Sequence, residues 1–320
     1  MRSDTDGRRV FVVFNPASGR GRGARRIDGF LSLLERYMPG FTHAGTSRPG
    51  EESLLADQAI AEGFDLIVAV GGDGTWSNVA DRIVASGKDN VALGILASGT
   101  GNDFGRNFGM SIRNPELAVQ TLANGVVRSV DMGRVVTGAT PLRAEAGPLG
   151  TLKGRHFLNL VGFGFDIAVI EDALGARFLR GELLYKLTAL KNLFSYPGVP
   201  LVLESDGPTV DGDQLMLTIS NAPFFGGGYL IAPAAELDDG LLTACAIGNT
   251  TPFTRWRLFN AAPKGRHVRS SHVQMRQSAR FSVCFSTPPK YEVDGELWQA
   301  EGTEVIVEAV PRALRVVVPG

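Results

Sequence analysis

Five apolar residues, Leu66-Ile67-Val68-Ala69-Val70, run directly into Gly71-Gly72-Asp73-Gly74-Thr75, and no other stretch narrows the fold as much. An uninterrupted apolar run bounded by Asp65 and paired glycines predicts a strand buried on both faces, as in a parallel sheet. Apolar or small residues then recur at Trp76, Val79, Ala80, Ile83 and Val84, the spacing of one helix face, ending near Gly87. The glycine-rich residues are therefore a strand-to-helix turn, where bare backbone N–H groups and the positive helix end suit an anion such as phosphate. Steric need for glycine in a tight turn is the plainer reading. Asp73 favours the functional one, because a carboxylate among phosphate-binding amides calls for a neutralising cation such as Mg²⁺ bridging nucleotide oxygens.

The chain has 320 residues, enough for two domains, and its 44% hydrophobic and 20% charged content is that of an ordinary globular protein. A net charge of −1 provides no global field for nucleic acid. Cys245 and Cys284 lie in apolar, strand-like runs without metal spacing and read as reduced core residues, which points to a cytoplasmic setting. The segment from Met1 to Arg9 has no apolar signal region, and no run approaches the roughly 20 apolar residues that span a bilayer. Any membrane contact is then expected to be peripheral.

Two further strand-and-turn units flank the central one. Val10-Phe11-Val12-Val13-Phe14 leads into Asn15-Pro16-Ala17-Ser18-Gly19-Arg20-Gly21 and a helix from about Arg22 to Tyr37. Here Asn15 and the turn amides are candidate donors, with Arg20 or Arg22 facing phosphate. Thr46-Ser47-Arg48-Pro49-Gly50-Glu51 precedes another helix. Leu93-Gly94-Ile95-Leu96-Ala97 leads into Ser98-Gly99-Thr100-Gly101-Asn102-Asp103-Phe104. In an open parallel sheet, loops beyond the carboxyl ends of strands converge on one ligand site. Asn114-Pro115 reads as a helix start, with Gly125 as its stop.

Beyond about Asp131 the pattern turns strand-rich. Arg128 to Thr137 and His156 to Gly162 read as strands around an exposed loop, Gly138 to Gly154, and Leu183 to Phe194 reads as an amphipathic helix stopped by Pro197-Gly198. Short strands are expected at Leu201–Glu204, Gln214–Ser220, Leu241–Ile247, Phe281–Phe285, Tyr291–Val293, Val305–Val310 and Leu314–Val318. The expected fold is α/β: a Rossmann-like parallel-sheet nucleotide domain, residues 1–131, and a C-terminal β-sandwich lipid-substrate domain, residues 132–320. The last strand has the option of returning to the first domain.

Asn15-Pro16-Ala17-Ser18-Gly19, Gly71-Gly72-Asp73-Gly74-Thr75, Gly99-Thr100-Gly101-Asn102-Asp103-Phe104, Pro233-Ala234-Ala235-Glu236-Leu237-Asp238-Asp239-Gly240 and Asp294-Gly295-Glu296 occur in one order across nearly the whole chain. In that order they resemble the lipid kinase family of diacylglycerol and sphingosine kinases, in particular soluble bacterial diacylglycerol kinases. The resemblance implies ATP and Mg²⁺ in a cleft between the domains, with nucleotide contacts at Asn15, Gly19, Thr46, Gly72, Asp73, Gly74, Thr75 and Thr100. It also implies a second, structural Mg²⁺ near Glu236, Asp239 and Leu241, the outer two through backbone carbonyls. The implied partner is a lipid alcohol, most simply diacylglycerol, at a membrane surface; a homodimer is compatible with the resemblance.

Phosphoryl transfer needs a phosphate clamp, neutralised charge and an oriented hydroxyl. Asp294 is the candidate base, although Asp-Gly is also the commonest hairpin turn and Asp73 is an alternative base. Glu296, two residues on, is placed to bind Mg²⁺ or orient Asp294. Asn78 departs from the family pattern, in which an acid follows the central turn; an acid restored there is expected to raise activity or change the acceptor. His43, His156, His267 and His272 show no ligand spacing. An NAD kinase shares the central turn but fits the Asn15-Pro16, Asn102-Asp103 and Asp294-Gly295-Glu296 motifs less well, and a non-catalytic nucleotide or lipid regulator fits the retained acids poorly.

From Leu241 through Tyr291 there is no Asp or Glu, while Arg255, Arg257, Lys264, Arg266, Arg269, Arg276, Arg280 and Lys290 are basic. Phe253, Trp256 and Phe259 sit among the first of them at three-residue spacing. The alternatives are an inward-packed helix with a solvated basic face, and a docking surface for anionic membrane.

Overall fold

Alternate residues of the strand Val10–Phe14 face opposite ways, and each set is apolar: Val10 and Val12 enter one core, Phe11 and Val13 another. A strand buried on both faces demands helices on both sides. The computed structural model, which describes residues 7–110, 114–142, 154–175 and 191–320, supplies them. The first half runs β1 (Val10–Phe14), α1 (Ser18–Tyr37), β2 (Thr42–Gly45), α2 (Glu51–Ala61), β3 (Leu66–Gly71), α3 (Asp73–Ala85), β4 (Ala92–Ala97), the short α4 (Asp103–Arg106) and α5 (Pro115–Asn124). Its strands pair in parallel in the order β2-β1-β3-β4. Ile27, Phe30 and Leu34 of α1 and Val119 and Leu122 of α5 cover one face; Ala56 and Ile60 of α2 and Trp76, Val79 and Ile83 of α3 cover the other.

The second half comprises β5 (Val126–Val135), β6 (Ala139–Pro141), β7 (Arg155–Phe157), β8 (Leu160–Gly164), α6 (Phe165–Gly175), β9 (Val199–Glu204), β10 (Val210–Ser220), β11 (Phe224–Phe225), β12 (Tyr229–Leu230), β13 (Leu242–Gly248), α7 (Pro252–Ala261), β14 (Val273–Ser278), β15 (Arg280–Cys284), β16 (Lys290–Val293), β17 (Glu296–Ala300) and β18 (Glu304–Val318). Its pairings are antiparallel and enclose a separate apolar core that includes Phe157, Phe163, Leu217, Phe281, Tyr291 and Trp298. The class is α/β with a C-terminal β-sandwich.

The two strands expected at Val305–Val310 and Leu314–Val318 are one, β18, with a register break between Val310 and Leu314. Its first part pairs with β15; its last part pairs in parallel with β4 of the first half. Asp131, fully buried, holds the break: Arg312 N–H donates to its Oδ1 and Gly240 N–H to its Oδ2, each at 2.7 Å.

Other expectations need correction. Ala139–Pro141, expected within an exposed loop, pairs with β17 as an edge strand, and Ala139 is buried. The rest of that insert up to residue 153, the segment 1–6, and most of the helix expected over Leu183–Phe194 lie outside the described residues; 191–195 are helical. α1 begins at Ser18, earlier than Arg22, and β2, α6, β14 and β17 were not anticipated.

Candidate active site

Beyond the carboxyl ends of β1, β2 and β3 lies a cleft of about 440 Å³, inside the roughly 300–1,000 Å³ typical of small-molecule sites. Asn15, Gly19, Thr46, Gly72, Gly74 and Thr75, all expected nucleotide contacts, line it, and Glu296 reaches it from the second half. Asn15 is built into the turns: its N–H donates to Val70 O at 3.0 Å, its Oδ1 accepts from Ala17 N–H at 2.9 Å, and its Nδ2 donates to Thr75 Oγ1 at 3.3 Å. The turns after β3 and β4 touch so closely that a Cβ on Gly99 would lie 2.5 Å from Gly72 Cα, which explains glycine at both. Thr100 is exposed and does not line the cleft. The side chains of Arg20 and Arg22 lie outside those described.

Glu52, which the sequence did not single out, also lines the cleft, from the first turn of α2. Buried Asn78 joins it to Glu296: Asn78 Nδ2 donates to Glu52 Oε1 at 3.0 Å and to Glu296 Oε1 at 3.2 Å, while Asn78 Oδ1 accepts from Arg155. Arg155 in turn pairs with Asp81 at 2.9 Å, both buried, and Asp81 also accepts from His156 N–H. Burial pushes the Asp81 carboxyl up, but the Arg155 guanidinium and the His156 hydrogen bonds outweigh it and hold it down at about 2. Glu52 Oε2 is buried without a hydrogen-bond partner, and burial raises the Glu52 carboxyl.

Asp73 sits between two residues that line the cleft, Gly72 and Gly74. It starts α3, yet its carboxylate is not part of the cleft lining: Oδ1 accepts from Phe104 N–H at 3.0 Å, and Oδ2 stands against Gly101. Burial, then the neighbouring carboxylates of Asp103 and Asp294, push it up to about 7. Asp103 Oδ2 accepts from Gly227 N–H at 2.8 Å, tying this spot to the β11–β12 hairpin.

Asp294 and Gly295 both adopt positive φ, 47° and 89°, and join β16 to β17. Two successive positive φ values make the hairpin turn that Asp-Gly favours. The Asp294 carboxylate is also saturated: Leu158 N–H donates to Oδ2 at 2.8 Å, and Asn159 and Leu160 N–H donate to Oδ1 at 2.8 and 3.1 Å. It fixes the hairpin against β8. Burial raises the Asp294 carboxyl, and these hydrogen bonds oppose the rise.

On the far side of the β11–β12 hairpin lies a narrow apolar cavity of about 90 Å³, lined by Phe165, Val169, Phe225, Tyr229, Leu258 and Phe259 among others. α7 forms one wall, and its aromatics divide. Phe253 and Trp256 are exposed and stacked, ring centroids 6.1 Å apart, whereas Phe259 packs inward on Tyr229. Arg255 is not a surface charge: it is buried and donates to Thr250 O, Leu193 O and Tyr196 O at 2.7–3.1 Å. Arg276 is half-buried in β14, and Arg280 and Lys290 pair with Glu308 and Glu171, which leaves Arg257, Lys264, Arg266 and Arg269 as exposed basic residues near α7.

Glu236, Asp239 and Leu241, expected to hold a structural Mg²⁺, lie on the loop before β13 and outside the cleft lining. Asp239 Oδ1 accepts from Leu241 N–H at 2.9 Å, and among the described residues no cluster of three or more His, Cys, Asp or Glu side chains forms a metal-binding group. The set thus offers one partly used carboxylate and two carbonyls. Among the described residues no helix is long and apolar enough to cross a membrane.

Residues 9–135 match the diacylglycerol kinase catalytic domain and residues 159–318 the YegS C-terminal NAD kinase β-sandwich-like domain. The chain is 30% identical over 313 residues to a diacylglycerol kinase of Mycobacterium tuberculosis (strain CDC 1551 / Oshkosh), covering 97% of this chain and 95% of the relative. It is 27% identical over 293 residues to a diacylglycerol kinase of Bacillus subtilis (strain 168), covering 90% of each. Its fold is similar to the crystal structure of a diacylglycerol kinase from Bacillus anthracis str. Sterne, with a TM-score of 0.69 at 17% identity over 97% of each chain. A parallel-sheet cleft lined by the Asn15 and Gly72 turns, closed by a β-sandwich hairpin carrying Glu296, and kin that match almost end to end place this chain in the bacterial diacylglycerol kinase family of lipid kinases.

Proposed function

We propose that the chain transfers the γ-phosphoryl group of ATP to the hydroxyl of a lipid alcohol, with diacylglycerol as the acceptor. The observation that carries this reading is the position of Asp73, which directly follows a residue of the nucleotide cleft and adjoins Gly101 and, through Asp103, the hairpin whose Phe225 and Tyr229 line the apolar cavity. Asp73 thus lies between the elements that line the polar cleft and those that line the apolar cavity.

The amides of the Asn15, Gly72 and Gly99 turns and the N-terminal end of α3 bind the phosphates. Asp73 accepts the proton of the acceptor hydroxyl as its oxygen bonds to the γ-phosphorus and the bond to the β-phosphate oxygen breaks, releasing ADP. Asp294 holds the β16–β17 hairpin, and with it Glu296, against the turn between β7 and β8. Glu296 at the cleft suits a hard divalent cation with oxygen ligands, and Mg²⁺ held there would neutralise phosphate charge. The exposed Phe253–Trp256 pair, with Arg257, Lys264, Arg266 and Arg269, serves as the peripheral contact with anionic membrane from which the lipid enters.

Radiolabelled ATP offered with diacylglycerol, sphingoid base, ceramide, polyprenol, phosphatidylglycerol or NAD tests the reading. Labelled phosphatidic acid from diacylglycerol is expected. Transfer to NAD alone, or to none of the six, would overturn it.

A further inference from the structure

Asn78 stands where an acid was expected, yet its surroundings are not short of acid. Glu52 arrives from α2, where the positive helix end favours a carboxylate, and gives only Oε1 to Asn78. Its Oε2 has no hydrogen-bond partner, although the residue is 4% exposed and lines the cleft. A buried carboxylate oxygen without a donor is costly and calls for a missing partner.

A cation would satisfy that oxygen. The nearby Arg155 guanidinium acts on Glu52 and Glu296 through space, but its hydrogen bonds go to Asp81, Ser77 and Asn78, so it gives neither carboxylate a donor. One neutral amide, Asn78 Nδ2, binds one oxygen of each carboxylate and sets the pair side by side at the cleft. Two carboxylates completed by phosphate oxygens and water is an ordinary arrangement for Mg²⁺ at a nucleotide site.

We infer that Glu52 is a ligand of the divalent cation that accompanies ATP, acting beside Glu296, and that position 78 is neutral because the carboxylate for this spot comes from α2 instead of α3. The inference rests on the kinase reading above. An acid at position 78 of the parent would remove the amide on which both carboxylates depend and crowd a third negative charge against them. The acid is therefore tolerated only when Glu52 gives up its charge.

Mn²⁺ binding to the full chain is the test, measured by electron paramagnetic resonance with a non-hydrolysable ATP analogue present, and by analogue binding without metal. Glu52→Gln keeps an acceptor for Asn78 and is expected to weaken Mn²⁺ binding by roughly tenfold or more, with metal-free analogue binding within about threefold of the parent. Glu52→Gln/Asn78→Asp, which moves the carboxylate back to α3, is expected to recover at least about a third of that loss in free energy. Fe²⁺ with peroxide and ascorbate, applied to the unaltered chain with the analogue, is expected to cut near residues 52 and 296, a readout that needs no variant to fold. Mn²⁺ affinity of Glu52→Gln equal to the parent's, no recovery in the double variant, or cuts confined elsewhere would overturn the assignment. A parent chain that binds no analogue would instead sink the kinase reading.

Discussion

Asn78 Nδ2 lies 3.2 Å from Glu296 Oε1, so the first turns of α3 are bonded to a hairpin 218 residues further along the chain. The cleft is thus floored by both halves, and the bond also leaves Arg155 an acceptor in Asn78 Oδ1. Asn78→Ala removes the donor between two carboxylates and an acceptor from a buried guanidinium. A destabilisation of about 1–3 kcal/mol is expected, read as a lower urea midpoint at constant slope. A midpoint equal to the parent's would mean that the network contributes nothing to stability.

Asp73→Asn is expected to lower turnover by about 10² to 10⁴ while nucleotide affinity stays within a few fold, because a general base acts in the transition state. Since burial and neighbouring carboxylates push the Asp73 carboxyl up to about 7, turnover of the parent should rise with pH through that value as the base ionises. A pH profile flat from 6 to 8, or a matching loss of nucleotide affinity in the variant, would place Asp73 in another role.

Asp294→Asn should act differently. An amide cannot accept from all three of the Leu158, Asn159 and Leu160 N–H groups, so a thermal destabilisation equivalent to about 1–3 kcal/mol is expected along with reduced turnover. Lost turnover in a chain as stable as the parent would restore Asp294 as the base.

Asp81 sets part of the acid limit of stability. Its carboxyl is held at about 2, below the ordinary 3.8, so the folded state favours the ionised form. Its contribution is fully present above about pH 4 and is lost as pH falls through about 2; the size is about 2 kcal/mol. Asp81→Asn should therefore be destabilised at pH 7 and approach the parent as pH falls towards 2. A gap between them that stays constant down to pH 2 would refute the linkage.

The exposed aromatic pair on α7 makes a prediction about membranes. Trp256→Ala and Arg257→Glu should each weaken co-sedimentation with anionic vesicles, and added salt should weaken it further; each basic residue near a charged surface contributes on the order of 1 kcal/mol. Binding that ignores lipid charge and both substitutions would assign the lipid a different entrance.

Much of this was legible in the sequence because local pattern and tertiary role coincide. The β3 run is apolar throughout since it is covered on both faces, and the glycines after it recur where two turns nearly touch. Asp294-Gly295 could be read both as hairpin and as site, and the structure shows the hairpin. What stayed hidden depends on contacts far apart in sequence. Glu52 looks like any exposed acid in a helix's first turn until Asn78 reaches it, and Arg255 reads as a surface charge until carbonyls from 59 and 62 residues away close around it. β2, with three of its four residues exposed, lacks the apolar alternation that marks a strand, and the Asp73 carboxylate turns from its own loop because the Phe104 amide attracts it.

β18 has a consequence for how the molecule is made. The parallel sheet begun by residues 10–14 acquires the neighbour of β4 only from residues 315 and 316. On a ribosome, where domains usually fold in order of synthesis, β4 must wait with an unpaired edge while more than half of the chain is still to come. Such an edge is an open template for the wrong strand, and late, long-range pairing is slow. The first half is thus exposed to mispairing throughout the synthesis of the second, until the arrival of Val316 closes it.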